Sequence, residues 1–231
     1  MTLIAVLDYG IGNLRSAQKA LQHVGADARL TADPGLIRDA AGVVLPGVGS
    51  FGRCMEELRS SGLDELALEA IAADRPFLGI CIGMQMLYGG SEESPDVPGL
   101  GVLGGRVRLL SDEVKRPQMQ WNLLEPRERP GGEPSAMLAG MATPTWVYFV
   151  HSYSADVTDD GIATCDYGRP VTAAVERGRL WATQFHPEKS AATGLRLLEN
   201  FVALAEQVGG ATASAVAGDS GAGRSPSSTA D

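Results

Sequence analysis

"FLGICIGMQMLYGG" occupies Phe77 to Gly90, and its reading decides the fold. A short apolar run ends at Cys81, glycines stand two residues to either side of it, and an amphipathic pattern follows. That order describes a buried strand passing through a tight turn into a helix. Glycines around a reactive residue are what a nucleophile elbow needs, because the turn strains the central backbone and leaves no room for neighbouring side chains. A helix N-terminus adds free N–H groups and partial positive charge, which favour a thiolate. The same groups, notably the N–H of Ile82, suit an oxyanion. The alternative is a small buried cysteine that merely fits a tight junction.

On the N-terminal side of the elbow, strands and helices alternate. "LIAVLDYG" reads as a buried strand, and "NLRSAQKALQHVG" puts Leu14, Ala17, Leu21 and Val24 at helical spacing. "ADARLTAD" is a weak second strand, "PGLIRDA" a short helix, and "AGVVLPGVG" a third strand ending in a Pro-Gly turn. A helical region from about Phe51 to Ala73 is broken near Gly62. Nearly continuous apolar strands separated by helices imply an α/β fold whose mostly parallel central sheet is flanked by helices. After Gly99 the texture becomes β-rich through "GVLGGRVRLL", "TWVYFVHSYSADV", "GIATCDYG" and "PVTAAVERGRLWATQFH". These segments are expected to add antiparallel or mixed strands in the C-terminal half, before a last helix from about Ala191 to Val208. Residues 1–208 form one expected domain. Residues 209–231, mostly Gly, Ala and Ser, have little to bury and are expected to be a disordered tail.

Composition narrows the chemistry. The chain has 231 residues, 44% of them hydrophobic, enough for a sizeable core. A net charge of −9 without a Lys/Arg cluster argues against nucleic acid as a partner. The run "LIAVL" meets Asp8 too soon for a signal or a membrane span, so a soluble, cytoplasmic protein is expected. Cys54, Cys81 and Cys165 form no CxxC pair, and His23, His151 and His186 stand in no ligand-like spacing with them. No disulfide framework and no metal is expected. "DYGIGNLR" lacks the third glycine and the acidic residue of a dinucleotide fingerprint, and "LPGVGSFG" lacks the Walker lysine, so no cofactor is expected either.

A thiolate nucleophile needs a base. In "ATQFHPEKS" proline holds His186 extended, and residues two apart in an extended segment share a side, so Glu188 is placed to orient the imidazole. The preceding strand would deliver His186 to the carboxyl edge of the sheet, where open α/β sheets place their sites. The alternative is a surface His and Glu at a strand end. His151, a polar residue inside the apolar "YFVHSY", needs a partner and is expected behind the reacting groups. His23 reads as structural. "PGVGSFG" follows the third strand, where glycine backbone can bring an N–H to an oxyanion; the alternative is an ordinary turn.

Together, "GICIGMQ", "PGVGSFG" and "QFHPEKS", at these intervals along the chain, resemble the class I, triad-type glutamine amidotransferases over roughly Leu3 to Val208. The resemblance implies the flavodoxin-like glutaminase fold, L-glutamine as substrate, and Cys81, His186 and Glu188 as the catalytic triad. It implies an oxyanion hole at Gly47, Val48, Gly49 and Ile82, and glutamine binding by Gln85, Ser152 and Tyr153. "LDYGIGNL", "WVYFVHSY" and Lys189 further resemble the glutaminase subunits of imidazole glycerol phosphate synthase, in histidine biosynthesis, which feed ammonia to a (β/α)₈ cyclase. A barrel needs about 250 residues, so the implied cyclase is a separate polypeptide in a heterodimer. Its docking surface would include "RPQMQWN", Arg116 to Asn122, with Trp121 as anchor, the alternative being a core tryptophan, and Asn122, His151 and Lys189 nearby. There the subfamily reads Pro-His-Met-Gly-Trp-Asn. Gln118 and Gln120 depart from that pattern, and Gln120, standing in place of a glycine, is the departure that bears on the local geometry of the docking surface. Rival readings are glutaminases serving anthranilate, aminodeoxychorismate or pyridoxal phosphate synthesis. Outside that chemistry stand a cysteine peptidase and an inactive binding module on the same scaffold.

Overall fold

The computed structural model describes residues 1–129 and 131–219. The chain begins with β1 (Leu3–Leu7), α1 (Leu14–His23), β2 (Asp27–Thr31), α2 (Pro34–Asp39) and β3 (Gly42–Gly47). Helices α3 (Phe51–Ser60) and α4 (Leu63–Ala72) lead to β4 (Phe77–Cys81) and a single-turn α5 (Ile82–Met86). Then come β5 (Gly90–Ser91), β6 (Ser94–Pro98), β7 (Val107–Leu109), β8 (Gln118–Leu123), β9 (Glu125–Pro126), β10 (Trp146–His151) and β11 (Tyr153–Ala155). Strands β12 (Gly161–Asp166), β13 (Pro170–Arg177) and β14 (Leu180–Thr183), a 3₁₀ turn (Pro187–Lys189) and α6 (Ala191–Asp219) complete it.

Eight strands form the central sheet in the order β2-β1-β3-β4-β14-β13-β12-β9. From β2 to β14 neighbours run parallel; β13, β12 and β9 continue antiparallel. The expected α/β sheet with antiparallel extension is therefore present. Every residue of β3, β4 and β14 is buried, which a strand achieves only when both faces of its sheet are covered. Local signals agree with the elements. Ala17 and Leu21 are the buried stripe of α1, and Asp33 caps α2 by accepting the Leu36 N–H at 2.7 Å, with Pro34 in the first turn.

As expected of strands that extend or flank the sheet, the stretch Trp146–Ala155 supplies β10, paired with β8 in a separate two-stranded ribbon, and β11, which joins β7, β5 and β6 in a four-stranded sheet. Two expectations need correction. Two strands of that sheet also precede Gly99, because Tyr88 and Gly90 turn back too soon to prolong α5. The last helix runs past Val208 to Asp219, since extending a nucleated helix through alanine-rich sequence costs little. The rest of the expected disordered tail lies outside the described residues. No helix among the described residues is long and apolar enough to cross a membrane.

Candidate active site

Cys81 ends β4 with φ +57° and ψ −111°, a conformation that a non-glycine residue holds only when its surroundings impose it. The imposing neighbours are close. A Cβ on Gly83 would collide with the Leu45 carbonyl, and one on Gly79 would stand 3.0 Å from the Gly83 carbonyl oxygen. Tight packing of the first turn of α5 against β3 thus explains the glycines on both sides of the cysteine.

Two adjacent strands bring the other groups to Cys81. β3 pairs with β4 in a register that sets Gly47 beside Cys81, so the Val48–Gly49 loop opens next to the sulfur. Tyr9 Oη donates to the Pro46 carbonyl at 2.6 Å, and Cys54 Sγ donates to the Val48 carbonyl at 3.2 Å, anchoring that loop. On the other side β14 lies parallel to β4, with Thr183 opposite Ile80, and releases His186 at the same edge. Pairing of His186 with Glu188 is achieved differently from the sequence reading. His186 itself is extended, but the chain then folds into the 3₁₀ turn, and the turn rather than an extended segment brings Glu188 Oε1 within 2.7 Å of His186 Nδ1.

Glu188 has only 2% of its side chain exposed, and its Oε1 also accepts from Asn13 Nδ2 at 3.2 Å. Ser190 Oγ donates to the His186 carbonyl and accepts the Tyr148 N–H, while the His186 N–H is donated to the Tyr148 carbonyl. Burial alone would lower the His186 pKa. Hydrogen bonds and negative charge from Cys81 and Glu188 outweigh it and raise the value to about 9, which favours the imidazolium form of the ring. His151 behaves oppositely. Burial pushes it down to about 4, leaving it neutral, and its Nδ1 faces the Tyr153 carbonyl at 2.9 Å and so carries the proton.

These groups border a cavity of about 560 Å³. Cys81, His186, Val48, Gly49 and Ile82 are part of its lining, and so are Gln85, Ser152, Tyr153, His151 and Lys189. Gly47 lies beneath, where a Cβ would meet the Gly83 nitrogen at 2.9 Å. Trp121 and Asn122 are not in the cavity. Trp121 lies exposed on β8, edge-on to Tyr148, which excludes a core role, and Asn122 Nδ2 donates to the Asp166 carbonyl. Gln118 turns inward, fully buried beside Cys165, and is absent from the outer surface. Gln120 sits in regular pairing with Phe149, so its replacement of glycine leaves the strand undisturbed.

Three site residues escaped the sequence reading. Asn13 and Glu93 line the cavity, and Gln184 touches Cys81 Sγ from within the core. Asn13 lies in the glycine loop "DYGIGNLR", read as a nucleotide motif and as part of the family resemblance without a role for Asn13, and Gln184 lies within "QFHPEKS". Glu93 had no pattern to mark it. It reaches the cavity by accepting the Phe51 N–H at the start of α3, at 2.6 Å. Among the described residues no group of His, Cys, Asp and Glu could hold a metal ion.

Comparison with known proteins adds an independent line. A family model for class-I glutamine amidotransferases matches residues 5–205. The chain is 46% identical over 204 residues to imidazole glycerol phosphate synthase subunit HisH of Symbiobacterium thermophilum, spanning 87% of this chain and 93% of that one. It is 48% identical over 212 residues to the HisH subunit of Dechloromonas aromatica, spanning 86% and 95%. Among solved structures, that of PurLQS from Thermotoga maritima shares the fold, with a TM-score of 0.69 at 18% identity over 87% of this chain and 98% of that one.

Proposed function

The chain belongs to the class-I glutamine amidotransferase family, and on that premise we propose that it is the glutaminase subunit of an imidazole glycerol phosphate synthase. It hydrolyses L-glutamine to glutamate and ammonia and passes the ammonia to a separate (β/α)₈ cyclase, in the soluble phase of the cell. One observation carries the reading. A cysteine in a strained strand–helix turn and a His–Glu pair at 2.7 Å open onto one cavity, in a chain nearly half identical to HisH subunits.

In this reading Cys81 Sγ attacks the side-chain amide carbon of glutamine. The resulting oxyanion is received by backbone N–H groups of the Gly47–Gly49 loop and Ile82. His186 donates its Nε2 proton to the departing amine and ammonia leaves, generating a γ-glutamyl thioester. His186 then takes a proton from water, the hydroxide adds to the thioester, and glutamate departs as the thiol is restored. Glu188 keeps Nδ1 protonated and the ring aimed at the sulfur, with Asn13 holding Glu188. Gln85, Ser152 and Tyr153 bind the substrate, and Glu93 supplies the negative charge that an α-ammonium group requires. The cyclase docks over Trp121, Asn122 and Lys189, and its arrival completes the oxyanion hole through movement near Val48.

The test is to mix the purified chain with a candidate cyclase and measure glutamine hydrolysis with and without the cyclase's nucleotide substrate. Strong stimulation only in the complete mixture is expected. Replacing Cys81 with Ala should abolish glutamine-dependent synthesis and spare ammonia-dependent synthesis. A diazoketone analogue of glutamine should label Cys81; labelling of Cys54 or Cys165 instead would refute the site. Absence of stimulation with Cys81 still labelled would keep the glutaminase and assign it to another synthase.

A further inference from the structure

Gln184, between β14 and His186, is fully buried, and no step above uses it. Its side chain belongs to a relay. Gln85 Nε2 lies 2.9 Å from the Tyr153 carbonyl oxygen and 2.9 Å from Gln184 Oε1, and Gln184 Nε2 lies 3.8 Å from Cys81 Sγ. The orientation of both amides follows from one backbone group. A carbonyl only accepts, so the Gln85 atom facing Tyr153 is nitrogen. The same nitrogen faces Gln184, so the Gln184 atom it meets is oxygen, and the atom turned to Cys81 is nitrogen. A buried, pre-oriented donor is therefore aimed at the sulfur.

We propose that Gln184 is a further catalytic residue whose Nε2–H stabilises the Cys81 thiolate, with Gln85 and the Tyr153 carbonyl as the positioning groups that aim it. When Sγ passes its proton to His186 Nε2, the sulfur changes from a weak acceptor to a charged one, and a hydrogen bond to the charged form favours that form. Exclusion of water strengthens the bond. Gln85 borders the cavity, so whatever settles against it lies one amide away from the donor that serves the nucleophile. The proposal rests on Cys81 as the nucleophile in the reading above, but not on the identity of its substrate.

The test follows alkylation of Cys81 by iodoacetamide in the full chain across pH, with the modified peptide identified by mass spectrometry. Gln184→Glu preserves size and the oxygen toward Gln85 while replacing the donor with an acceptor. The half-maximal point of alkylation is expected to move upward by about half to one pH unit. Gln85→Leu, which releases the Gln184 amide, should produce a smaller shift in the same direction. The other titratable groups acting on Cys81 are His186, Tyr9 and Cys54, with Glu188 behind His186 and Glu93 and Lys189 at the cavity. Gln184→Glu adds a carboxylate whose charge also raises the profile, so loss of the donor alone is read from Gln184→Met, which introduces no charge. Should Gln184→Glu fail to fold, Gln184→Met, of similar length and without a donor, decides by the same shift. Coincident profiles for the wild type and a folded Gln184 variant would overturn the proposal. A shifted profile without glutamine turnover in any mixture would uphold the donor while refuting the glutaminase reading.

Discussion

Strands β4 and β14 at the centre of the sheet and the β8–β10 ribbon at its flank are all rich in large apolar side chains, yet they solve different problems. Trp181 on β14 is 1% exposed and packs against Phe201 of α6. On the ribbon, Val147, Phe149 and His151 face inward, while Met119, Trp121 and Trp146 are 62%, 45% and 46% exposed. Register gathers them: Met119 opposes Val150, Trp121 opposes Tyr148, and Leu123 opposes Trp146. The central strands are covered by helices of their own chain. The ribbon buries alternate side chains of β10 and carries a continuous apolar set on its opposite face, and such a face on an otherwise well-packed chain marks a place for another surface. Val150 and His151 also border the catalytic cavity, so the ribbon joins the proposed cyclase-facing side directly to the chemistry.

The contrast can be broken most sharply at its two ends. In the complete synthase mixture, His186→Ala should lower glutamine turnover by about four orders of magnitude, and Glu188→Gln by at least about tenfold less, because an orienting group is more easily compensated. Equal losses would mean that Glu188 does more than orient. Next in size, Trp181→Ala should cost about 3–5 kcal/mol in urea denaturation, as removal of a fully buried aromatic does. Trp121→Ala should leave stability within about 0.5 kcal/mol while weakening binding to the cyclase at least about tenfold. Comparable destabilisation by both tryptophan variants would erase the distinction between core and docking face.

The smallest effects separate the two histidines. His186 is raised from 6.5 to about 9 in the fold, so its contribution to stability is complete below about pH 6.5 and fades as pH rises through 9. His151, lowered to about 4, contributes in full above about pH 6.5 and loses that contribution as pH falls towards 4. Urea midpoints of the wild type against His186→Gln and His151→Gln should therefore converge in opposite directions, the first with rising and the second with falling pH. Parallel pH curves would show that neither ring changes protonation on unfolding.

Much of the site is written in short-range sequence. Tight turns, strand hydrophobicity and the spacing of His186 and Glu188 are local properties, and so the parallel strands, the elbow and the His–Glu pair were all legible in one chain. Asn13, Glu93 and Gln184 were not, because each acquires meaning from a partner distant in sequence: Glu188, the Phe51 N–H and Cys81. The ribbon failed for the same reason. The apolar run marked Trp146–His151 as β-rich, but only its pairing with β8 and its packing decide which alternate set of side chains is covered. By itself the sequence determined the α/β class, the strained cysteine and the neighbouring His–Glu pair, since each depends on backbone constraints spanning a few residues. Tertiary structure alone decided that β14 inserts beside β4, that Gln118 turns inward while Trp121 stays out, and that Gln85 aims the Gln184 amide at the Cys81 sulfur. Those outcomes depend on which surfaces meet, and a single strand carries no record of its neighbour.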